Sequence, residues 1–191
     1  MDTYQAREFL DRLIADGSLD EILPEVAALR GVPQAADYHS EGDAFVHTML
    51  AVCAVPDDAD PRVFWGVLLH DIGKALTTSF SNGRWRSHGH EDAGAGLVPA
   101  VMARLGLAEL AGDVTWLVRH HDFLLSWNLQ PGAALSGRQR RFMENPFFPL
   151  LLQVNAADAA ASWGKSRKGE DGRMLAEMME QNQVNRLKAE G

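Results

Sequence analysis

All seven histidines of this chain fall between His39 and His121, leaving the first 38 and the last 70 residues without one. Several of them, and one aspartate, interrupt stretches that are otherwise apolar. AFVHTMLAVCAVP at 44–56 contains a single imidazole, His47; VFWGVLL at 63–69 runs directly into His70 and Asp71; and between Asn145 and Gly164 the only formal charge is Asp158, inside LLLQVNAADAAAS. An ionised carboxylate alone in such surroundings costs several kcal/mol or takes up a proton, so a partner is required. One divalent cation would serve all of these groups together. His47, His70, Asp71 and Asp158 supply two imidazoles and two carboxylates, a set suited to Mn, Fe, Co, Ni or Zn.

Taken singly, each residue has a plainer reading. His47 could be a hydrogen-bonded core histidine, Asp158 a buried partner for Arg138, Arg140 or Arg141, and His70 an imidazole favoured by the backbone dipole near a helix end. Their conjunction on three separate apolar segments is what points to a metal.

The elements that must bring them together are helical almost throughout. Residues 3–16 form an amphipathic segment ending at Gly17, and Ser18 can cap a second that runs to about Arg30. A loop rich in turn formers, 31–42, leads into a helix over 43–55. Asp60-Pro61 opens the next, which closes at Gly73. Residues 77–88, with Ser81-Asn82-Gly83 flanked by Phe80 and Trp85, break the helical trend as a short hairpin or ordered loop. Helices resume over 90–105, 107–121, 146–163 and 170–189, and the stretch 126–145 is read as irregular. The expected architecture is one all-α domain, a helical bundle with its core at about 31–163, N-terminal helices over 3–30 and a tail helix over 170–189. Met174, Leu175, Met178 and Met179 are expected to dock that tail on the body. Trp65, Trp116 and Trp163 are expected in the core, and Trp85 and Trp127 near a pocket.

With 191 residues, 46% hydrophobic and 23% charged, the chain reads as an ordinary globular domain, which excludes disorder and fibrous repeats. A net charge of -8 argues against extended nucleic-acid binding, whose affinity comes from Lys and Arg neutralising phosphates. A small anionic substrate remains compatible with a locally positive site. The lone cysteine, Cys53, allows neither an intramolecular disulfide nor a cysteine-rich zinc site and is read as a small core residue. No apolar run is long enough for a membrane span and the N-terminus is amphipathic rather than signal-like, so the expected location is the cytoplasm.

The order His47, His70-Asp71, Asp158 resembles the metal signature of the HD superfamily of phosphohydrolases, and HDIGK at 70–74 is a common form of its central motif. More narrowly, YHSEGDAFVHTML at 38–50, LLHDIGKALT at 68–77, GRWRSHGHEDAGA at 83–95 and LVRHH at 117–121 resemble the HD segment of bacterial tRNA nucleotidyltransferases. The resemblance covers roughly residues 31–163. It implies one or two divalent ions (Mn, Fe, Co, Ni, Mg or Zn), with Asp71 bridging them, His90 and His120 as ligands of the second, and His121 as a close alternative to His120. Read alone, these three histidines could equally sit at helix ends for electrostatic reasons. His39 and His88, in polar loops, are expected at the surface or beside the ligands. The transferases carry a nucleotidyltransferase domain ahead of this segment, with an acidic pair on a strand. Here the nearest acidic triplet, Asp58-Ala59-Asp60, lies in a Pro-flanked loop, so nucleotide addition is not expected and the HD module is expected to stand alone.

The implied activity is that of a metal-dependent phosphohydrolase, a phosphomonoesterase or phosphodiesterase acting on a nucleotide or similar small phosphorylated substrate. Nucleoside monophosphates and 2′,3′-cyclic nucleotides are the first candidates. A divalent ion lowers the pKa of bound water from 15.7 towards about 7 and polarises the phosphoryl oxygen. Asp71 would act through the metal and Lys74 on the phosphate, with Arg84, Arg86 and His121 as further substrate contacts. Two other readings use the same residues: a mixed-valent di-iron oxygenase, which some HD-fold proteins resemble, and a non-catalytic module that binds a nucleotide or RNA end.

Overall fold

The structure, a computed structural model, describes residues 1–127, 134–164 and 170–178. Local signals fix most helix ends. Helix α1 (Thr3–Asp16) opens with a capping box between Asp2 and Gln5 and stops at Gly17, whose φ of 79° is left-handed. The expected second helix is instead two short ones, α2 (Leu19–Ile22) and α3 (Pro24–Ala27). Pro24 has no N–H to donate and its ring drives Leu23 out of the helical region, to φ -130° and ψ 59°.

Helix α4 (Ala44–Cys53) is capped by Asp43, which accepts from the Val46 N–H at 2.9 Å through one oxygen and from the Gly31 N–H at 2.7 Å through the other. One carboxylate thus starts the helix and pins the head of the 31–42 loop to it. Helix α5 (Pro61–Leu69) begins at Asp60-Pro61 as expected, and ends just before His70. After α6 (Lys74–Thr77) comes the hairpin, β1 (Ser79–Ser81) antiparallel to β2 (Arg84–Arg86), with Phe80 opposite Trp85. Its turn holds Asn82 and Gly83 at φ 50° and 76°, as a tight two-residue hairpin requires.

The remaining elements are α7 (His90–Arg104), α8 (Ala111–His120), α9 (Gly137–Met143), α10 (Phe148–Ala161) and a final helix, α11, over residues 170–178. Helix α9 corrects the irregular reading of 126–145. Ser136 and Gln139 form a capping box, and Phe142 stacks on Trp116 with ring centroids 5.6 Å apart. The rest of the expected tail helix, Met179 included, lies outside the described residues.

Helix α5 is the centre of the molecule, for every residue from Val63 to Leu69 is buried. Helices α4, α8 and α10 pack around it, and α7 lies along α8. Gly66 permits the close fit: a Cβ there would stand 3.1 Å from Val154 of α10 and 3.3 Å from Leu117 of α8. Arg62 bridges Asp60 and Asp113, tying α5 to α8 at the surface. Leu10 and Leu13 of α1 and Leu175 of α11 join the same apolar core, with Met174 and Met178 beside them. The architecture is all-α apart from the hairpin. Trp65 is buried as expected, but two other core expectations fail. Cys53 is exposed, on the outer side of the last turn of α4. Trp163 is 61% exposed, because α10 has already ended and Ser162 turns the chain into an extended conformation. Among the described residues, no helix is long and apolar enough to cross a membrane.

Candidate metal centre

Five elements deliver side chains to one buried spot. His47 comes from the middle of α4, His70 and Asp71 from the turn after α5, His90 from the first residue of α7, His121 from just beyond α8, and Asp158 from α10. All six are buried.

The four imidazoles are oriented alike. The Nδ1–H of His70 donates to Val67 O at 2.6 Å, that of His90 to Ser87 O at 2.8 Å and that of His121 to Val118 O at 2.7 Å, in each case the carbonyl three residues back. His47 Nδ1–H donates to the Glu41 carboxylate at 2.8 Å. Carbonyl and carboxylate oxygens only accept, so the Nδ1 proton is fixed and Nε2 is left to face the centre. There His47 Nε2 stands 3.0 Å from Asp158 Oδ1, and His70 Nε2 3.2 Å from Asp71 Oδ2. His90 Nε2 is 3.3 Å from Asp71 Oδ1 and 3.1 Å from His121 Nε2. Two Nε2 lone pairs at that separation, or one against a carboxylate oxygen, repel unless a proton or a cation lies between them. His70 Nε2 is buried with no hydrogen-bond partner among the described residues.

These donors fall into two overlapping sets that share Asp71: His47, His70 and Asp71, closed by Asp158, and Asp71, His90 and His121. Imidazole nitrogen with carboxylate oxygen is the chemistry of a divalent transition ion or zinc, so the residues fit the group that the motif implies.

The electrostatics agree. Burial pushes the Asp71 carboxyl up, but the charges of His70 and Lys74 and the close approach of the His70 and His90 rings hold it well below the usual carboxylate range. Burial opposes protonation of His70 and His90, yet Asp71, aided by Asp158 and Asp122 respectively, raises both. Lys74, itself buried, places Nζ 2.7 Å from Asp71 Oδ2.

The histidine choice near residue 120 is corrected. It is His121 that meets His90 and Asp71, whereas His120 donates Nδ1–H to Trp116 O at 2.7 Å and stacks on the Trp116 ring at 4.4 Å. Successive helical residues point about 100° apart, and of this pair it is the second that turns towards Asp71 and His90. Asp158 pairs with His47, while Arg140, one of the arginines considered for it, donates to Leu135 O. Arg84 and Arg86 share one face of β2 and Trp85 takes the other. The hairpin base adjoins the centre through Ser87, whose carbonyl holds His90 and whose hydroxyl meets Thr78 at 2.7 Å. His88 is exposed, as expected.

Three contributors escape the sequence reading. The Glu41 side chain is buried and accepts from both His39 and His47 and from the Trp163 N–H at 3.0 Å, joining α4 to the end of α10. Asp122 places Oδ2 3.6 Å from His90 Nε2, and the His121-Asp122 pair repeats the His70-Asp71 pattern that could have flagged it. Asn155 donates to His121 O at 2.8 Å. His39, its Nδ1–H on Glu41 at 2.7 Å, stands beside His47, and burial together with the nearby Lys74 charge lowers its pKa.

Glu41 has a testable consequence. Burial raises its pKa, but the Trp163 N–H and the two imidazole donors outweigh that and bring it below the ordinary 4.5. A depressed carboxyl contributes stability that is present above its unfolded pKa and lost as the pH falls through the folded one. Glu41→Gln is therefore expected to flatten the acid limb of stability below about pH 4.5 in denaturation curves. It should also weaken metal binding about 10- to 100-fold by freeing the His47 ring.

The HD domain family model matches residues 37–163. The chain is 39% identical over 132 residues to a multifunctional CCA protein of Halorhodospira halophila, covering 68% of this chain and 31% of that protein. It is 42% identical over 108 residues to the one from Alkalilimnicola ehrlichii, covering 55% and 25%. With the one from Nitrosococcus oceani it shares 29% over 214 residues, covering 95% and 52%. The chain thus spans between a quarter and about half the length of these relatives. The matched segment opens ahead of His39 and closes beyond Asp158, taking in every residue of the centre, and on that match the chain belongs to the HD domain family.

Proposed function

We propose that this protein is a metal-dependent phosphohydrolase, a phosphomonoesterase or phosphodiesterase acting on a nucleotide-like substrate. The observation that carries the reading is the set of four imidazoles whose Nε2 atoms face one another and two buried carboxylates with Nδ1 already committed as donor. A divalent cation at His47, His70, Asp71 and Asp158, with a second at Asp71, His90 and His121, would supply an acidified water and polarise a phosphoryl oxygen. The chain does the rest. Glu41 and the Val67, Ser87 and Val118 carbonyls hold the imidazoles in register through Nδ1, and Lys74 offers its ammonium to the phosphoryl oxygens on which charge builds. In a chain of net charge -8, Lys74 and the hairpin arginines Arg84 and Arg86 provide local attraction for an anion.

Nucleoside monophosphates and 2′,3′-cyclic nucleotides head the candidate substrates. Kinship with multifunctional CCA proteins adds a phosphorylated RNA end, so the expectation against nucleic acid is confined to long tracts rather than termini. The test is a phosphoester panel assayed with added Mn, Co, Ni or Mg, with oxygen uptake followed in parallel. Metal-dependent phosphoester hydrolysis without oxygen consumption supports the reading, whereas oxygen consumption would favour the di-iron alternative. Lys74→Ala is expected to keep its metal and lose about a hundredfold or more in kcat. Loss of metal from that variant would contradict the role given to Lys74.

A further inference from the structure

Gln34 belongs to neither donor set, and its position in the 31–42 loop gives no hint of chemistry. The loop is nevertheless fixed at its head, where the Gly31 N–H donates to Asp43 at 2.7 Å and the Ala44 N–H donates to Val32 O at 3.0 Å. That anchoring sets Gln34 against the centre, with Oε1 accepting from Lys74 Nζ at 2.7 Å. An ammonium only donates, so the amide cannot be turned round: the oxygen faces Lys74 and the NH2 group faces the other way. Gln34 Nε2 is buried and has no hydrogen-bond partner among the described residues. Buried donors in folded proteins are almost always paired, and one left unmet beside a buried ammonium and a catalytic carboxylate calls for a ligand that supplies the acceptor.

We propose that Gln34 is a substrate-binding residue, its carbonyl keeping Lys74 beside Asp71 and its Nε2 donating to an oxygen of the phosphoryl group that Lys74 neutralises. The inference rests on the phosphohydrolase reading and names the side of the site on which the phosphate sits. Lys74 Nζ is shared between Asp71 Oδ2 and Gln34 Oε1, each at 2.7 Å. Once a cation claims the Asp71 charge, the Gln34 carbonyl is the anchor that still holds the ammonium in place. The two residues then act as one edge, a full positive charge with a neutral donor next to it, matched to a tetrahedral anion.

Two variants separate the two halves of the amide. Gln34→Leu removes both, while Gln34→Glu leaves an oxygen for Lys74 and replaces the donor by a negative charge. Manganese-loaded wild type and variants are titrated calorimetrically with inorganic phosphate, KM and kcat are measured on the phosphoester the wild type turns over fastest, and metal content is measured by elemental analysis. Both variants are expected to bind phosphate about ten- to a hundredfold more weakly and to show a raised KM, with metal content unchanged. Gln34→Glu is expected to be at least as impaired as Gln34→Leu although it keeps the Lys74 contact. Wild-type phosphate affinity in either variant overturns the proposal, and so does loss of metal, which would make Gln34 a structural residue. A wild-type protein that neither binds phosphate nor hydrolyses phosphoesters overturns the phosphohydrolase reading and this proposal with it. Wild-type hydrolysis with unaffected variants removes only Gln34.

Discussion

Asp71→Ala is expected to lose bound metal and hydrolysis together, with kcat falling about a thousandfold or more, since a metal contributes several kcal/mol of transition-state stabilisation. Asp71 is the one residue common to both donor sets. Its Oδ2 lies 3.2 Å from His70 Nε2 and 2.7 Å from Lys74 Nζ, and its Oδ1 lies 3.3 Å from His90 Nε2 and 3.8 Å from His121 Nε2. Without it, Lys74 loses its ion-pair partner in a buried place, so the metal-free variant is also expected to be less stable, by about 3 kcal/mol in denaturant titrations. Asp71→Asn keeps the volume and removes the charge, and is expected to lose metal as completely. Because His70 and His90 hold their protons more tightly than usual in the metal-free protein, cation binding must displace them. Apparent metal affinity is therefore expected to fall as the pH drops below those raised pKa values. Full metal content in either Asp71 variant would contradict the assignment.

Gly73→Ala is the second large effect. Gly73 has an ordinary helical φ of -68°, so its requirement is for space and not for conformation. A Cβ there would fall 2.0 Å from His90 O and 2.6 Å from Gly94 N, both backbone atoms of α7. Neither can swing aside as a flexible side chain would. The variant must either lose stability, by about 3 kcal/mol or more, or push the start of α7 away and carry His90 with it. In the second outcome the His47, His70, Asp71 and Asp158 set survives while the set containing His90 is broken, and manganese stoichiometry by elemental analysis falls by one ion. Unchanged melting temperature and metal content would show that the turn after α5 and α7 are not locked as described.

The residues proposed as main ligands stand out in the sequence because each is a polar group in or beside a helix too apolar to leave it unpartnered. His47, His70, Asp71 and Asp158 carry that signal locally, as Asn82-Gly83 carries the hairpin. His120 and His121 do not differ in any local sense. Which of the two faces inward depends on how α8 lies against α5, a tertiary fact. Glu41 sits in a polar loop where an acid attracts no notice, and its partners, the Trp163 N–H and two imidazoles, meet it only in the folded chain. Pro24 was an available signal for the break between α2 and α3, and the Ser136–Gln139 box for α9, but each lies in a segment whose broader composition pointed elsewhere. Gln34 could not be found from composition, since its role depends on Lys74 arriving from a different element.

The central claim is tested most directly by anomalous diffraction from crystals grown with manganese. The account predicts a peak about 2.0–2.3 Å from the Nε2 atoms of His47 and His70 and from Asp71 and Asp158 oxygens, and a second sharing Asp71 with His90 and His121 rather than His120. Metal-replete crystals with no peak between these helices, and with the imidazoles bonded only to protein atoms, would contradict it.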